Sequence, residues 1–318
     1  MPQPYENAFR NTRALVTGGA GFIGSHIARR LIELGTEVIV LDDLSGGFRE
    51  SVPAKAKFVH ASILDDEALR DATKGCAFVF HEAAMVSVPE SVGDPQRCAA
   101  INIAGTERVL EAARDADPPV RRVIFAASAA AYGGAPKLPS REDHLPDCRS
   151  PYAASKVAGE ALLAAFANCY PISTVSLRYF NVFGPGQNAN SAYAAAISAF
   201  HKALSVGTEP TIYGDGRQTR DWVFIDNIVH ANMLAAASPR ELKGEVINIG
   251  TGQRIDLLEV LKHMGSAMKV DVKPRFAEPR AGDVRDSVAD ITRAKQQLGY
   301  ESIVDFAEGM RRMLADGR

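Results

Sequence analysis

The sequence predicts an α/β protein built on a doubly wound parallel sheet, with a second, smaller α/β lobe towards the C-terminus. Strand-like and helix-like segments alternate through the first half of the chain, a pattern typical of βαβ units. The strand-like segments are short apolar runs such as VIVL and VIF, as expected for strands buried on both faces. A glycine-rich turn joins the first strand to the first helix.

Strands and helices of this first half follow one another at the spacing of a crossover-connected parallel sheet. Ser150 and Pro151 predict an N-cap and a first helical residue. The expected strands are 14–18, 37–43, 57–63, 77–83, 121–128 and 174–184. The expected helices are 24–34, 67–73, 95–116 and 151–168.

The pattern changes near residue 184, where a Gly- and Asn-rich loop precedes a predicted helix over 192–205 and a strand over 246–252. We therefore expect a first domain over 1–180, with part of 222–252 interleaved into it. The remaining chain, 181–318, is expected to form mainly the smaller lobe.

Composition excludes several functional classes. The chain has 318 residues with 36 Lys and Arg against 38 Asp and Glu, a net charge of -2, which argues against nucleic acid or an anionic membrane as partner. No run of 18 apolar residues and no apolar signal-peptide core is present, so we expect a cytoplasmic protein. The four cysteines form no CxxC pair, and neither a metal site nor a disulfide framework is predicted.

The glycine-rich turn has the pattern of a dinucleotide-binding loop. Gly19, Gly21 and Gly24 fit GxGxxG, and Gly18 with Gly21 and Gly24 fits GxxGxxG. Glycines allow backbone to approach a pyrophosphate, which the N-terminus of the next helix attracts. Asp42 ends the second strand, where a carboxylate accepts the adenosine ribose hydroxyls and repels a 2′-phosphate. The pattern predicts a Rossmann-type fold that binds NAD rather than NADP.

Tyr152 and Lys156 lie four residues apart on the helix that follows the fifth strand, so they share one face. We expect the Lys156 ammonium to lower the pKa of the Tyr152 phenol, which then acts as a general base. Ser128 ends the fifth strand at the edge where such sheets bind ligands. These three residues are the candidate catalytic group.

Several motifs together resemble those of the extended short-chain dehydrogenase/reductase family: TGGAGFIG, HEAA, YAASK, LRYFNVFGP and TIYGDGRQTRDWVFIDN. Within that family, the sequence is most similar over residues 12–300 to nucleotide-sugar 4-epimerases, and among these to bacterial enzymes that act on UDP-N-acetylglucosamine. The resemblance implies that Tyr152 takes the proton of the sugar 4-hydroxyl while C4 gives a hydride to bound NAD. Ser128 would bind the same oxygen, and Lys156 the nicotinamide ribose.

The resemblance also implies ligand contacts at particular positions. The cofactor contacts would be Gly18, Gly21, Phe22, Ile23, Gly24, Asp42, Ile63, Ala83, Ala84, Asn102, Tyr152, Lys156 and Tyr179. The UDP-sugar contacts would be Ser87, Ser128, Asn181, Asn190, Tyr213, Arg220, Arg280, Asp283 and Ser287. The family also implies a homodimer through a four-helix bundle made by the helices 95–116 and 151–168.

The substrate is the least determined part of this interpretation. Ser287 stands where epimerases restricted to UDP-glucose and UDP-galactose carry a bulky Tyr, and its small size leaves room for an N-acetyl group without excluding plain hexoses. Ala129 and Ala130 stand where related dehydratases and decarboxylases need an acid, which argues against those reactions. UDP-glucose or UDP-uronate 4-epimerisation stays open, as does a non-catalytic NAD-binding sensor.

Overall fold

The computed structural model describes residues 4–134, 137–187, 196–279 and 284–316. The strands are β1 (Arg13–Thr17), β2 (Glu37–Asp42), β3 (Lys57–His60), β4 (Phe78–His81), β5 (Arg122–Ser128), β6 (Ser173–Tyr179), β7 (Asn181–Phe183), β8 (Thr211–Tyr213), β9 (Thr219–Arg220), β10 (Trp222–Phe224), β11 (Lys243–Ile249), β12 (Ile255–Asp256) and β13 (Arg275–Ala277).

Through the first half of the chain, helices alternate with these strands as the sequence predicts. The helices of the described residues are α1 (Glu6–Phe9), α2 (Phe22–Glu33), α3 (Asp66–Thr73), α4 (Val88–Gly93), α5 (Pro95–Ala99), α6 (Gly105–Arg114), α7 (Pro151–Cys169), α8 (Ala196–Ser205), α9 (Ile225–Ala237), α10 (Leu257–Met268), α11 (Thr292–Leu298) and α12 (Phe306–Asp316).

Seven strands form one parallel sheet in the order β11-β6-β5-β4-β1-β2-β3, which confirms the Rossmann-type α/β fold. The chain leaves β1 in one direction for β2 and β3, and then crosses to β4 on the other side. Such a switch point opens a crevice at the carboxyl ends of the strands, where ligands bind in this fold. The edge strand β11 comes from the interleaved segment expected over 222–252.

Two apolar layers cover the sheet. Helices α2 and α9 lie on one face with much of the C-terminal lobe, and α3, α6 and α7 lie on the other. Strand β5 is buried over nearly its whole length, as its continuous apolar sequence predicts. Within the described residues, no helix is both long and apolar enough to cross a membrane.

Two predicted elements differ from the structure. The strand expected over 174–184 is split at Phe180 into β6 and β7, and β7 pairs with β10 outside the main sheet. The helix expected over 95–116 contains a π-helical segment, Ala100–Ala104, between α5 and α6. A π segment inserts an extra residue into the helical turn, and apolar spacing does not reveal it. Of the helix expected over 192–205, residues 192–195 lie outside the described residues.

The π-helical segment carries Asn102, whose side chain is buried against α7. Its Oδ1 accepts the Met85 N–H at 2.7 Å, and its Nδ2 donates to the Met85 carbonyl at 3.0 Å and to Ser155 Oγ at 2.9 Å. Ser155 Oγ donates in turn to the Tyr152 carbonyl at 2.8 Å. Asn102 therefore fastens the loop after β4 to the first turn of α7, between Tyr152 and Lys156.

We expect Asn102→Ala to destabilise the protein, because it leaves the buried Met85 N–H and carbonyl without their partner. The free energy of unfolding, measured by urea denaturation, should fall by about 2–4 kcal/mol. Asn168→Ala is the matched control: Asn168 is exposed near the end of α7 and donates to the Ala164 carbonyl. Equal losses in the two variants would contradict the anchoring role of Asn102.

Candidate active site

A cavity of about 680 Å3 opens at the carboxyl edge of the sheet, at the switch point between β1 and β4. Its volume is within the range of ligand-binding clefts. Its wall carries most of the predicted cofactor and catalytic residues and the predicted substrate contact Ser87. The predicted cofactor and catalytic residues on the wall are Gly18, Gly21, Phe22, Ile23, Gly24, Asp42, Ile63, Ala83, Ala84, Ser128, Tyr152, Lys156 and Tyr179.

The glycine turn has the geometry that a dinucleotide loop requires. Gly18 has φ of +69°, and a Cβ there would lie 2.6 Å from the Ala83 nitrogen. Both the left-handed backbone and the lack of space therefore require glycine at this position. Helix α2 begins directly after Gly21. Its first turn lines the cavity, and no described side chain caps its backbone N–H groups, as is typical of a helix end that binds an anion.

Asp42 closes the other end of the loop. Its Oδ2 accepts the Ala20 N–H at 2.9 Å and its Oδ1 accepts the Leu44 N–H at 2.8 Å, which fixes the carboxylate at the cavity wall. Burial raises its pKa, while these two backbone hydrogen bonds act in the opposite direction. A glycine loop, a helix N-terminus and an orientated carboxylate on one wall fit the pyrophosphate and adenosine ribose of NAD.

The catalytic candidates meet at the far end of the same cavity. Ser150 caps α7 by accepting the Ala153 N–H, and Pro151 takes the first helical position as predicted. The Tyr152 N–H donates to Ser91 Oγ at 3.1 Å, which sets the position of the first turn. From there the Tyr152 phenol hydrogen-bonds with the Ser128 side chain at the end of β5.

Lys156 does not have the expected effect on Tyr152. Burial raises the pKa of the Tyr152 phenol, and the hydrogen bond with Ser128 offsets only part of this. Lys156 Nζ lies 5.9 Å from the centre of the phenol ring and donates to the Ala126 carbonyl at 2.7 Å. Burial also lowers the pKa of Lys156 to about 8, so the lysine loses its charge before the phenol ionises.

Glu82 is a cavity residue that the sequence analysis did not single out. It follows β4, lines the cavity beside Ala83, and accepts the Tyr179 hydroxyl at 3.0 Å. Burial raises its pKa to about 7, while Tyr179 and Lys156 lower it. The acid in the HEAA motif, directly after an apolar strand, was the available signal, because strand ends of this sheet face the ligand crevice.

The remaining predicted residues that the structure describes are not on this cavity wall. Asn102 is behind it, with its amide engaged by Met85 and Ser155. Tyr213, Arg220 and Ser287 belong to the C-terminal lobe, where the Ser287 N–H donates to the Thr219 carbonyl at 3.1 Å. Asn181 starts β7, with its N–H bonded to the Asp221 carbonyl. The predicted contacts Asn190, Arg280 and Asp283 lie outside the described residues.

Comparison with known proteins agrees with this geometry. Residues 14–250 match the model of the NAD dependent epimerase/dehydratase family. A UDP-glucose 4-epimerase of Mycolicibacterium smegmatis is 40% identical over 309 residues, covering 94% of this chain and 96% of the relative.

Two solved structures are similar over nearly their whole length. A UDP-N-acetylglucosamine 4-epimerase of Methanobrevibacter ruminantium, in complex with UDP-N-acetylmuramic acid, has a TM-score of 0.92 at 34% identity and covers 97% of this chain and 98% of its own. A Thermus thermophilus UDP-glucose 4-epimerase complexed with NAD has a TM-score of 0.86 at 35% identity, with 96% and 98% covered. The chain is an enzyme of the NAD-dependent epimerase/dehydratase family, and NAD is its cofactor.

Proposed function

We propose that the protein is an NAD-dependent UDP-sugar 4-epimerase, with UDP-N-acetylglucosamine and UDP-N-acetylgalactosamine as its main substrate pair. The observation that carries the reaction class is the arrangement of Ser128, Tyr152 and Lys156 at one end of the cavity whose other end holds the glycine loop and Asp42. Relatives that bear the name UDP-sugar 4-epimerase, from M. smegmatis, M. ruminantium and T. thermophilus, support the same class.

In the proposed reaction, the ionised form of Tyr152, a small fraction at neutral pH because burial raises its pKa, accepts the proton of the sugar 4-hydroxyl. Ser128 donates a hydrogen bond to that oxygen as it becomes a carbonyl. Bound NAD supplies the acceptor for the C4 hydride and later its donor. The 4-keto sugar turns within the cavity, and Tyr152 then returns the proton to the oxygen of the opposite epimer. Lys156, which is charged below its pKa of about 8, would bind the nicotinamide ribose.

We expect purified protein without added cofactor to interconvert UDP-N-acetylglucosamine and UDP-N-acetylgalactosamine. Tyr152→Phe should lower this rate by at least about a thousandfold, since it removes the proton acceptor while keeping the ring. Chromatographic separation of the C4 epimers measures the rate, and bound NAD is quantified after denaturation. A Tyr152→Phe variant with full NAD content and more than a tenth of the wild-type rate would refute the base assignment.

The preference for N-acetylated sugars rests on Ser287. This residue is half-buried and lies beside the Thr219–Arg220 strand through its backbone hydrogen bond. A serine occupies little of the wall of a sugar site, so an acetamido group is tolerated there. The M. ruminantium enzyme, named for UDP-N-acetylglucosamine, supports this preference, and the M. smegmatis relative supports turnover of UDP-glucose as a second activity.

We expect Ser287→Tyr to lower kcat/KM for UDP-N-acetylglucosamine by about tenfold to a hundredfold, because the phenol fills the space for the acetamido group. The value for UDP-glucose should change little. Ser287→Ala serves as a control that keeps the wall small. Equal losses on both sugars would show that Ser287 does not line the N-acetyl site.

We also propose that two chains pair through a four-helix bundle made by the helical segment 95–116, which includes α5 and α6, and by α7. Ala154, Ala161 and Ala165 are exposed along one side of α7, and small side chains let helices of a bundle approach closely. Light scattering of the purified protein should give about twice the 34.1 kDa of one chain. A mass of one chain at micromolar concentration would contradict this arrangement.

A further inference from the structure

Glu82 occupies a position next to the anchor point of Lys156. In the register of β4 and β5, His81 pairs with Phe125, so Glu82 follows beside Ala126. The Ala126 carbonyl is the group that accepts the hydrogen bond from Lys156 Nζ at 2.7 Å. The Glu82 carboxylate therefore reaches the catalytic end of the cavity from the end of β4, and the Lys156 ammonium reaches it from α7 against the neighbouring strand β5; both residues line the cavity.

One hydrogen bond holds the Glu82 carboxylate in place, and a second supports the donor of the first. The Tyr179 hydroxyl at the end of β6 donates to Glu82 Oε1 at 3.0 Å, and Asn232 Nδ2 donates to the same hydroxyl at 2.8 Å. Asn232 is itself fixed by its bond to the Ile228 carbonyl at 2.9 Å. Strand β5 lies between β4 and β6. The hydrogen-bonded pair of Glu82 and Tyr179 therefore spans the end of β5, the strand whose Ala126 carbonyl accepts from Lys156.

The other ionisable groups near Lys156 raise its pKa less than Glu82 does. Glu160, one turn along α7, is bound through both oxygens to Arg178 at 2.7 Å. The Cys98 thiol from α5 is buried, and the Tyr152 phenol is protonated at neutral pH because burial raises its pKa. Among the described residues, no Lys or Arg forms an ion pair with Glu82.

His81, which precedes Glu82, is held neutral. Thr106 Oγ1 donates to the Asn102 carbonyl at 2.7 Å, so at 3.0 Å it accepts from His81 Nε2. The other ring nitrogen, Nδ1, accepts the Thr17 hydroxyl at 2.8 Å. Burial lowers the pKa of His81 to about 3, so the imidazole adds no charge at neutral pH.

We propose that the Glu82 carboxylate is the counter-charge that keeps the Lys156 ammonium protonated at the catalytic end of the cavity. Glu82 is thus a positioning residue that acts through Lys156. The inference rests on the proposed function in so far as that function gives Lys156 its catalytic role.

The electrostatics of the pair agree with this geometry. Burial lowers the pKa of Lys156 to about 8, and Glu82 is the strongest opposing influence. Lys156 is charged below that pKa, and Glu82 is ionised above its own pKa of about 7. Without the carboxylate, the midpoint for loss of the lysine proton should move down by about one pH unit, into the neutral range.

The titration of Lys156 itself is the direct test. Protein loaded with NAD and labelled with 13C at the lysine Cε is followed by NMR between pH 6 and pH 10, a range that brackets an ordinary lysine. The Lys156 signal is assigned by its absence from Lys156→Arg. We expect Glu82→Gln, which keeps the acceptor for Tyr179, to lower the Lys156 midpoint by about one pH unit. In the same variant, the decrease of kcat at alkaline pH should begin at a lower pH than in the wild-type protein.

Glu90→Gln is the matched control, because Glu90 lies exposed at the rim of the same cavity, where water screens its charge. It should leave the Lys156 midpoint unchanged, and Glu82→Asp should largely restore it. An unchanged midpoint in Glu82→Gln overturns the proposal. If that variant does not fold, Glu82→Met removes the same charge from a side chain of similar length. Failure to turn over any UDP-sugar would count against the proposed function alone, since the titration needs no substrate.

Discussion

The site depends on one constraint, the burial of the Lys156 ammonium at the end of β5. The side chain is 3% exposed, donates to a single described backbone carbonyl, and lies 4.9 Å from the centre of the Phe125 ring. A charge in such surroundings loses most of its hydration and must be compensated by nearby groups or lose its proton. Helix α7, the end of β5 and Glu82 are the parts of the structure that surround this charge.

Neutral hydrogen bonds, rather than ion pairs, fix the geometry around this charge. Ser150 and Ser91 hold the first turn of α7, and Asn102 ties Ser155 to the Met85 backbone. Neutral partners suit this role because they satisfy buried backbone groups without adding further charge. The side chains proposed for catalysis are therefore orientated before a substrate arrives, which limits the entropy lost on reaching the reactive geometry.

Local patterns in the sequence were sufficient for the sheet and the cofactor loop. Apolar runs and the GxGxxG turn depend on neighbours in sequence, so both were predictable, and the parallel strand order confirms the sheet. The break at Phe180 and the π-helical segment depend on tertiary packing, which leaves no periodic trace. The role of Asn102 required knowing which backbone it faces.

Charge interactions were the least predictable feature of the site. The four-residue spacing of Tyr152 and Lys156 correctly placed both at the cavity, but it indicated a lowered phenol pKa where burial in fact raises it. Spacing along a helix determines proximity, whereas a pKa depends on how much water each group loses and on charges from other strands. Glu82 is such a charge, since it reaches the site from β4, about seventy positions before Tyr152.

The residues proposed for catalysis and those proposed for substrate choice occupy separate parts of the chain. Ser128, Tyr152 and Lys156 are attached to the sheet and α7, whereas the proposed sugar contacts Arg220 and Ser287 lie on C-terminal segments joined by the Thr219–Ser287 hydrogen bond. A substitution in the second group alters the space around the sugar without disturbing the proton-transfer groups. This separation accounts for similar folds among epimerases named for UDP-glucose and for UDP-N-acetylglucosamine, because the reaction at C4 needs only the shared part.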